Sequence, residues 1–491
     1  MGSQYNILGF LGRSWLNFLL LGIIALLLFI TFKFGFLAGA SIALIPFALV
    51  FLVIFINNPF WGFIAVFIAN YYIQGLTRYI PGLPSGIVMD GLLVITIVSI
   101  ILHQFKTRFR YSWKGGFNVI VLLAFIWLLY CIFLLLVPEA SPLGWATAAR
   151  GIGIYFFIIV LLVSVLVRDL KDLHIILNIW AVLSLTAVLK ALMQQYLGFD
   201  AAESRWLYVE GASRTHIIYS GIRYFSFFSD AANFGSGIAL SGVVFGIAAL
   251  SDKRYGYKVF YAITAAACMY GMIISGTRGS LMVPFVGFTL YTILSKQFKT
   301  TLLAAFAILS VFAFLRYTNY GQGNSYIRRM RSIFNAAEDA SLQVRMVNQE
   351  RLRVYMADKH FGVGIGMSRG RAETYQPDAF VSKIPSDSWY VLIWVETGIV
   401  GLILHLLILL SVPAYGAYLI LFKLRDPTVR GIVSAMVCGI SGLYVSSYTI
   451  EIIGQFPTGF ILYTCMAVVY MSPRLDKVQT DKNAILEENY G

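Results

Sequence analysis

Long apolar runs separated by short polar connectors set the rhythm of this chain. Fourteen runs come close to the ~20 residues a helix needs to cross a bilayer. They cover Leu16–Phe32, Phe36–Ile56, Phe60–Ile73, Ile87–His103, Phe117–Val137, Gly151–Val167 and Leu173–Leu192. The others are Asn233–Leu250, Val259–Ser275, Ser280–Ser295, Thr301–Leu315, Trp389–Phe422, Gly431–Thr449 and Pro457–Met471. The pattern predicts an all-α, polytopic membrane bundle of about 12–14 transmembrane helices with one long extracytoplasmic loop domain. Residues 1–315 hold the first eleven spans and a polar segment at 193–232. A long basic loop at 316–388 follows, then the last three spans at 389–472 and a polar tail at 473–491.

Composition agrees. Of 491 residues 59% are hydrophobic and 12% charged, against roughly 25% charged in an ordinary soluble domain. The net charge of +14 is therefore read as orientation signal and not as a nucleic-acid footprint. With a cytoplasmic N-terminus, the basic connectors Lys106–Lys114, Arg168–Lys171, Asp252–Arg254, Lys296–Lys299 and Lys423–Arg430 face the cytoplasm with the C-terminal tail. Pro138–Ala149 and Glu451–Pro457, nearly free of Lys and Arg, fall on the other side. Cys131, Cys268, Cys438 and Cys465 lie in separate apolar runs and read as small hydrophobes, with no disulfide framework.

Three outward features break the rule of sparse outer charge: Met193–Ala232, the turn Gly276-Thr277-Arg278-Gly279, and the long loop. From Arg316 to Ser388 the loop carries eleven Lys/Arg against seven Asp/Glu, an excess suited to an anionic partner. Arg278 is either a snorkelling helix-end arginine or a phosphate fork whose flanking glycines admit a ligand. Arg345 opens a helix predicted over Val344–Asp358. There Arg345, Gln349 and Arg353 share one stripe, and Val344, Val347, Val354 and Tyr355 lie opposite. Arg223 stands in Arg223-Tyr224-Phe225-Ser226, beside aromatics that also suit a membrane interface. Asp387, before Ser388-Trp389-Tyr390, is a helix cap or a base. Glu396, inside an apolar run, calls for a partner. No His, Cys, Asp or Glu spacing suggests a metal site, and no phosphate-binding loop or dinucleotide fingerprint suggests a nucleotide.

Taken in order, Arg223–Asn233, Thr277-Arg278-Gly279, Arg345, Phe361-Gly362-Val363-Gly364 and Asp387-Ser388-Trp389-Tyr390 through Glu396-Thr397-Gly398 resemble the O-antigen ligase and O-antigen polymerase superfamily. The resemblance spans roughly Arg223 to Gly401. It implies a GT-C-like enzyme of the bacterial inner membrane, with its active site facing the periplasm and both termini cytoplasmic. The donor would be a polyprenyl-diphosphate-linked glycan, the acceptor a glycan, lipid or protein hydroxyl. No cofactor, metal or nucleic acid takes part, and other polysaccharide-assembly proteins are possible partners. The activity implied is an inverting, metal-independent glycosyl transfer that polymerises surface-polysaccharide repeats. The alternatives are a ligase joining the glycan to lipid A-core or protein, or a flippase for the lipid-linked oligosaccharide. By position, Arg278 and Arg345, with Arg223 and Arg353, would bind the diphosphate and glycan, and Asp387 would act on the acceptor. The family often has His-Asn where this chain has Asp387-Ser388. A carboxylate there would accept the hydroxyl proton late in the attack, or after burial.

Overall fold

A computed structural model describes residues 50–107, 113–218, 221–252, 254–295, 316–323, 325–331 and 340–490, with isolated positions between 22 and 33 and between 302 and 314. The runs expected at Leu16–Phe32, Phe36–Ile56 and Thr301–Leu315 lie wholly or largely outside the described residues. Among those described, eight helices are long and apolar enough to cross a membrane. The chain is a polytopic helical membrane protein.

The chain divides into two units. The first comprises residues 1–63 and 94–110. In it the start of α1 (Pro59–Tyr79) meets the end of α2 (Ser85–Thr107): a Cβ at Gly62 would stand 3.2 Å from Thr96 Oγ1. His103 Nδ1 lies 2.8 Å from the Ile56 carbonyl, and Lys106 donates to Asn57 at 2.6 Å.

The second unit comprises residues 64–93 and 111–491. It carries α3 (Val119–Phe133), α4 (Pro142–Leu166), α5 (Leu170–Tyr196), α6 (Ala231–Ser251), α7 (Tyr255–Ile274) and α8 (Met282–Leu294). In the long loop come α9 (Ser325–Arg331) and α10 (Ala340–Tyr355), then α11 (Trp389–Phe422), α12 (Pro427–Ser446) and α13 (Thr458–Tyr490). The only strands among the described residues are a two-residue antiparallel pair, Ile217 opposite Ile222 and Ile218 opposite Gly221.

α6 is the axis of this unit. Small residues let its neighbours approach closely, as membrane helices without a hydrophobic drive between them require. Gly235 lies against Ser275 of the α7 end, Gly242 against Met269, and Gly237 against Thr458 at the start of α13. Asp230 caps α6, accepting from the amides of Ala232 (2.8 Å) and Asn233 (3.0 Å).

Two expected boundaries shift. Pro138–Ala149 is not all connector: Ser141 accepts from the Gly144 amide and Pro142 takes the first turn, so α4 begins there and passes through a π turn at Arg150–Ile154. The long run from Trp389 is broken at Gly398, which has φ +70°.

Residues 197–218 and 221–230 fold as a cap before α6. Arg78, 3% exposed, is its pin. It donates to the carbonyls of Ser226 (2.7 Å) and Phe228, and its guanidinium lies 4.3 Å over Trp206 and 4.4 Å over Phe225. The amide of Ser226 donates to Gln194 at 2.9 Å. This cap fixes the backbone that presents Arg223.

Candidate active site

α7 stops because Gly276 adopts the left-handed conformation (φ +60°), and a tight helical turn then begins at Arg278. A Cβ at Gly276 would stand 3.3 Å from Arg223 Cγ and 3.8 Å from Arg329 Nε, so two arginine side chains cross this turn. Arg223 donates to the Thr215 carbonyl (3.0 Å) and to Thr277 Oγ1 (2.9 Å), and Thr277 donates onward to the Ala231 carbonyl (3.0 Å). Its Nε is buried with no partner among the described residues. Burial lowers the Arg223 pKa from its ordinary value. Asp230 opposes that shift, and the positive charge of Arg278 adds to it. Arg278 itself is half-buried and engaged. Like charges in a partly dry place are costly, and an anion is the group that relieves them.

The stripe expected on α10 is only partly correct. Leu352 and Met356 are buried, and Arg345 and Gln349 are half-buried on the same face. Val344, Val347 and Val354 point outward, at 57%, 52% and 72% exposure. Arg353 leaves that face, because eight residues turn a helix about 80° past a whole number of turns. Its side chain is 77% exposed and lies 3.7 Å from Glu350. What positions Arg345 is the small core under α10: Leu352, Met356, Val363, Met367, Val381, Ile384 and Val395.

That core is tied down by the glycine run. Gly362, Gly364 and Gly366 all have positive φ, and the run docks into the break of α11. The amide of Val363 donates to the Val395 carbonyl (3.0 Å) and that of Gly364 to the Glu396 carbonyl (3.1 Å). A side chain at Gly398 would collide with the His360 carbonyl. The loop thus satisfies carbonyls that the helix break releases. The Glu396 carboxylate, fully buried, accepts from Ser368 Oγ at 2.6 Å.

Asp387 is not the cap of α11. Ser388 holds the N-cap position without a side-chain capping bond, and its hydroxyl is buried with no partner among the described residues. Asp387 has φ +52°, a left-handed conformation uncommon outside glycine, and its side chain makes no hydrogen bond or ion pair among the described residues. Its backbone is anchored on both sides. Ser386 donates to Glu451, and the Trp389 amide donates to the Ser447 carbonyl at 3.0 Å. The connector 447–457, between α12 and α13, also packs on the arginine turn, since a Cβ at Gly279 would strike Thr449 and lie 2.9 Å from Ile450 Cδ1. One connector therefore touches both the Arg278 turn and the segment that carries Asp387.

Two residues join the arrangement that the linear pattern did not single out. Arg329 lies in Arg328-Arg329-Met330-Arg331, where charge alone does not rank the three arginines. The burial of Met330 at 2% sets which side of α9 faces inward. Glu451 was legible only as the lone acid in an outer connector almost free of charge. Among the described residues no three His, Cys, Asp or Glu side chains stand together as a metal-ligand set.

Residues 263–406, 144 of the 491, match the model of a family described as O-antigen ligase. The matched stretch contains Arg278, Arg329, Arg345 and Asp387. No curated protein matches the sequence.

Proposed function

Because residues 263–406 match the model of a family described as O-antigen ligase, we propose that this chain belongs to the O-antigen ligase and polymerase superfamily and transfers a polyprenyl-diphosphate-linked glycan to an acceptor hydroxyl at the periplasmic face of the inner membrane. The observation that carries this reading is the convergence of Arg223, Arg278 and Arg329 on the Gly276-Thr277 turn, bridged by one connector to the segment that carries Asp387.

The donor enters laterally, its polyprenyl chain in lipid and its diphosphate against Arg278 and Arg223. Arg345, on the inward face of α10, closes over the phosphates. Arg353 lies further out, along the glycan. The acceptor oxygen attacks the anomeric carbon from the side opposite the diphosphate. A new carbon–oxygen bond forms as the anomeric bond to the phosphate oxygen breaks, with inversion. The electron pair leaves with the diphosphate, whose growing charge the guanidinium groups stabilise. The acceptor proton passes to Asp387. This chemistry requires no metal.

Polymerisation of surface-polysaccharide repeats is the preferred form of the reaction. The description of the matched family favours the second form, a ligase that joins the finished glycan to lipid A-core or protein. A flippase has less support, because the candidate residues stand in connectors and the long loop of the sequence and not within the spans.

Purified protein in vesicles, given lipid-linked glycan and acceptor, tests the reading. We expect Arg278→Ala to lower transfer by about a hundredfold or more, the scale of losing a group that stabilises transition-state charge, with Asp387→Asn also well below the parental rate. Parental rates in both variants would remove the mechanism. On a gel of surface polysaccharide from a deletion strain, single-repeat chains identify a polymerase, and long chains left on the carrier lipid identify a ligase.

A further inference from the structure

Glu451 is 9% exposed and lies outside the stretch that matches the family, in the connector between α12 and α13. A carboxylate buried beside apolar helix ends is costly unless it is held, and its partners define its use. One carboxylate oxygen accepts from the hydroxyl of Ser386, the residue before Asp387. On the other side the connector is fixed by Gln455. Its amide nitrogen donates to the Glu451 carbonyl (2.5 Å), and its amide oxygen lies 3.0 Å from the hydroxyl of Ser229, next to the α6 cap Asp230. The connector carrying Glu451 therefore joins the α6 cap, through Gln455, to the segment carrying Asp387, through the Glu451 carboxylate. Asp387 itself holds an uncommon backbone conformation, and among the described residues its side chain makes no hydrogen bond or ion pair that would keep it there. Such a conformation persists only where its surroundings impose it.

We propose that Glu451 is a positioning residue. Through Ser386 it holds the segment before α11 so that the carboxylate of Asp387 is turned toward the Arg278 turn. This rests on the glycan-transfer reading above.

The test uses the full-length protein in nanodiscs with two readouts. Hydrogen exchange of the peptide spanning 385–392 reports that segment without reference to activity. Glu451→Ala and Ser386→Ala should each speed that exchange, and Glu451→Gln, which keeps an acceptor for Ser386, should leave it near parental. In the transfer assay both alanine variants should lower kcat by about ten- to a hundredfold, the effect of losing one hydrogen bond to a charged group. KM for the donor should stay unchanged, and the double variant should be no slower than either alone. Parental kcat in Glu451→Ala, with Arg278→Ala inactive, overturns the positioning role and leaves the transfer reading standing. Equal loss in Glu451→Gln and Glu451→Ala, with Ser386→Ala at the parental rate, also overturns it, because the carboxylate then acts directly. If Arg278→Ala and Asp387→Asn both retain full transfer, the reading beneath the proposal fails instead.

Discussion

His216 shows how the cap before α6 is locked into one protonation state. It is 2% exposed. Its Nδ1 lies 2.9 Å from the Ala212 carbonyl, and its Nε2 accepts from the Ala231 amide at 3.2 Å. Those two bonds use both nitrogens of the neutral ring, with the proton assigned to Nδ1. Burial pushes its pKa down to about 4, whereas the unfolded imidazole titrates near 6.5. Between those values the unfolded chain binds more protons, so stability falls as pH is lowered through that window. From pH 7 to pH 5 the loss attributable to this group is about 2 kcal/mol. We expect the melting temperature in detergent to fall over that range, and His216→Gln to flatten the slope. An unchanged slope in the variant would assign the dependence to another group. Glu139 and Lys359 form a simpler contact, a 2.6 Å pair whose hydrogen bond raises the Lys359 pKa.

At the scale of elements, the interrupted helix α11 and the glycine run are one device. The hydropathy of Trp389–Phe422 reads as a single overlong span, and Gly362-Val363-Gly364-Ile365-Gly366 reads as an isolated glycine-rich stretch. Each explains the other: Gly398 takes φ +70° and the run supplies amides to the carbonyls of Val395 and Glu396. Any side chain at Gly398 is strained by that φ and meets the His360 carbonyl. We expect Gly398→Ala to cost at least about 2 kcal/mol, seen as a lower melting temperature together with faster exchange of the Val363 and Gly364 amides. A variant that melts with the parental protein would show that the break is not required. The valines of α10 make a related point. Periodicity placed them opposite Arg345, but only packing showed that this opposite side is the exposed one.

At the scale of the whole molecule, the distribution of Lys and Arg sets the expected orientation, with the long loop outside and the tail after Arg474 inside. The four native cysteines are buried, which leaves little background for labelling. We expect Gln322→Cys to react with a membrane-impermeant maleimide in intact spheroplasts and Lys477→Cys to react only after permeabilisation. The reverse pattern would put the arginine turn in the cytoplasm, where a periplasmic transferase could not use it.

Hydropathy and charge alone determined the helical membrane class, and together with the family resemblance they singled out Arg278, Arg223, Arg345 and Asp387. A bilayer forces each spanning segment to satisfy its own backbone, so spans are legible one at a time. Only the tertiary structure decided which charges meet. It brought Arg329 across Gly276, left Asp387 without a cap to serve, and turned Arg353 outward. Those outcomes rest on contacts between distant parts of the chain, such as Arg223 with Thr277 across 54 positions and Ser386 with Glu451 across 65. No local periodicity encodes them, because each depends on how separately folded helices pack.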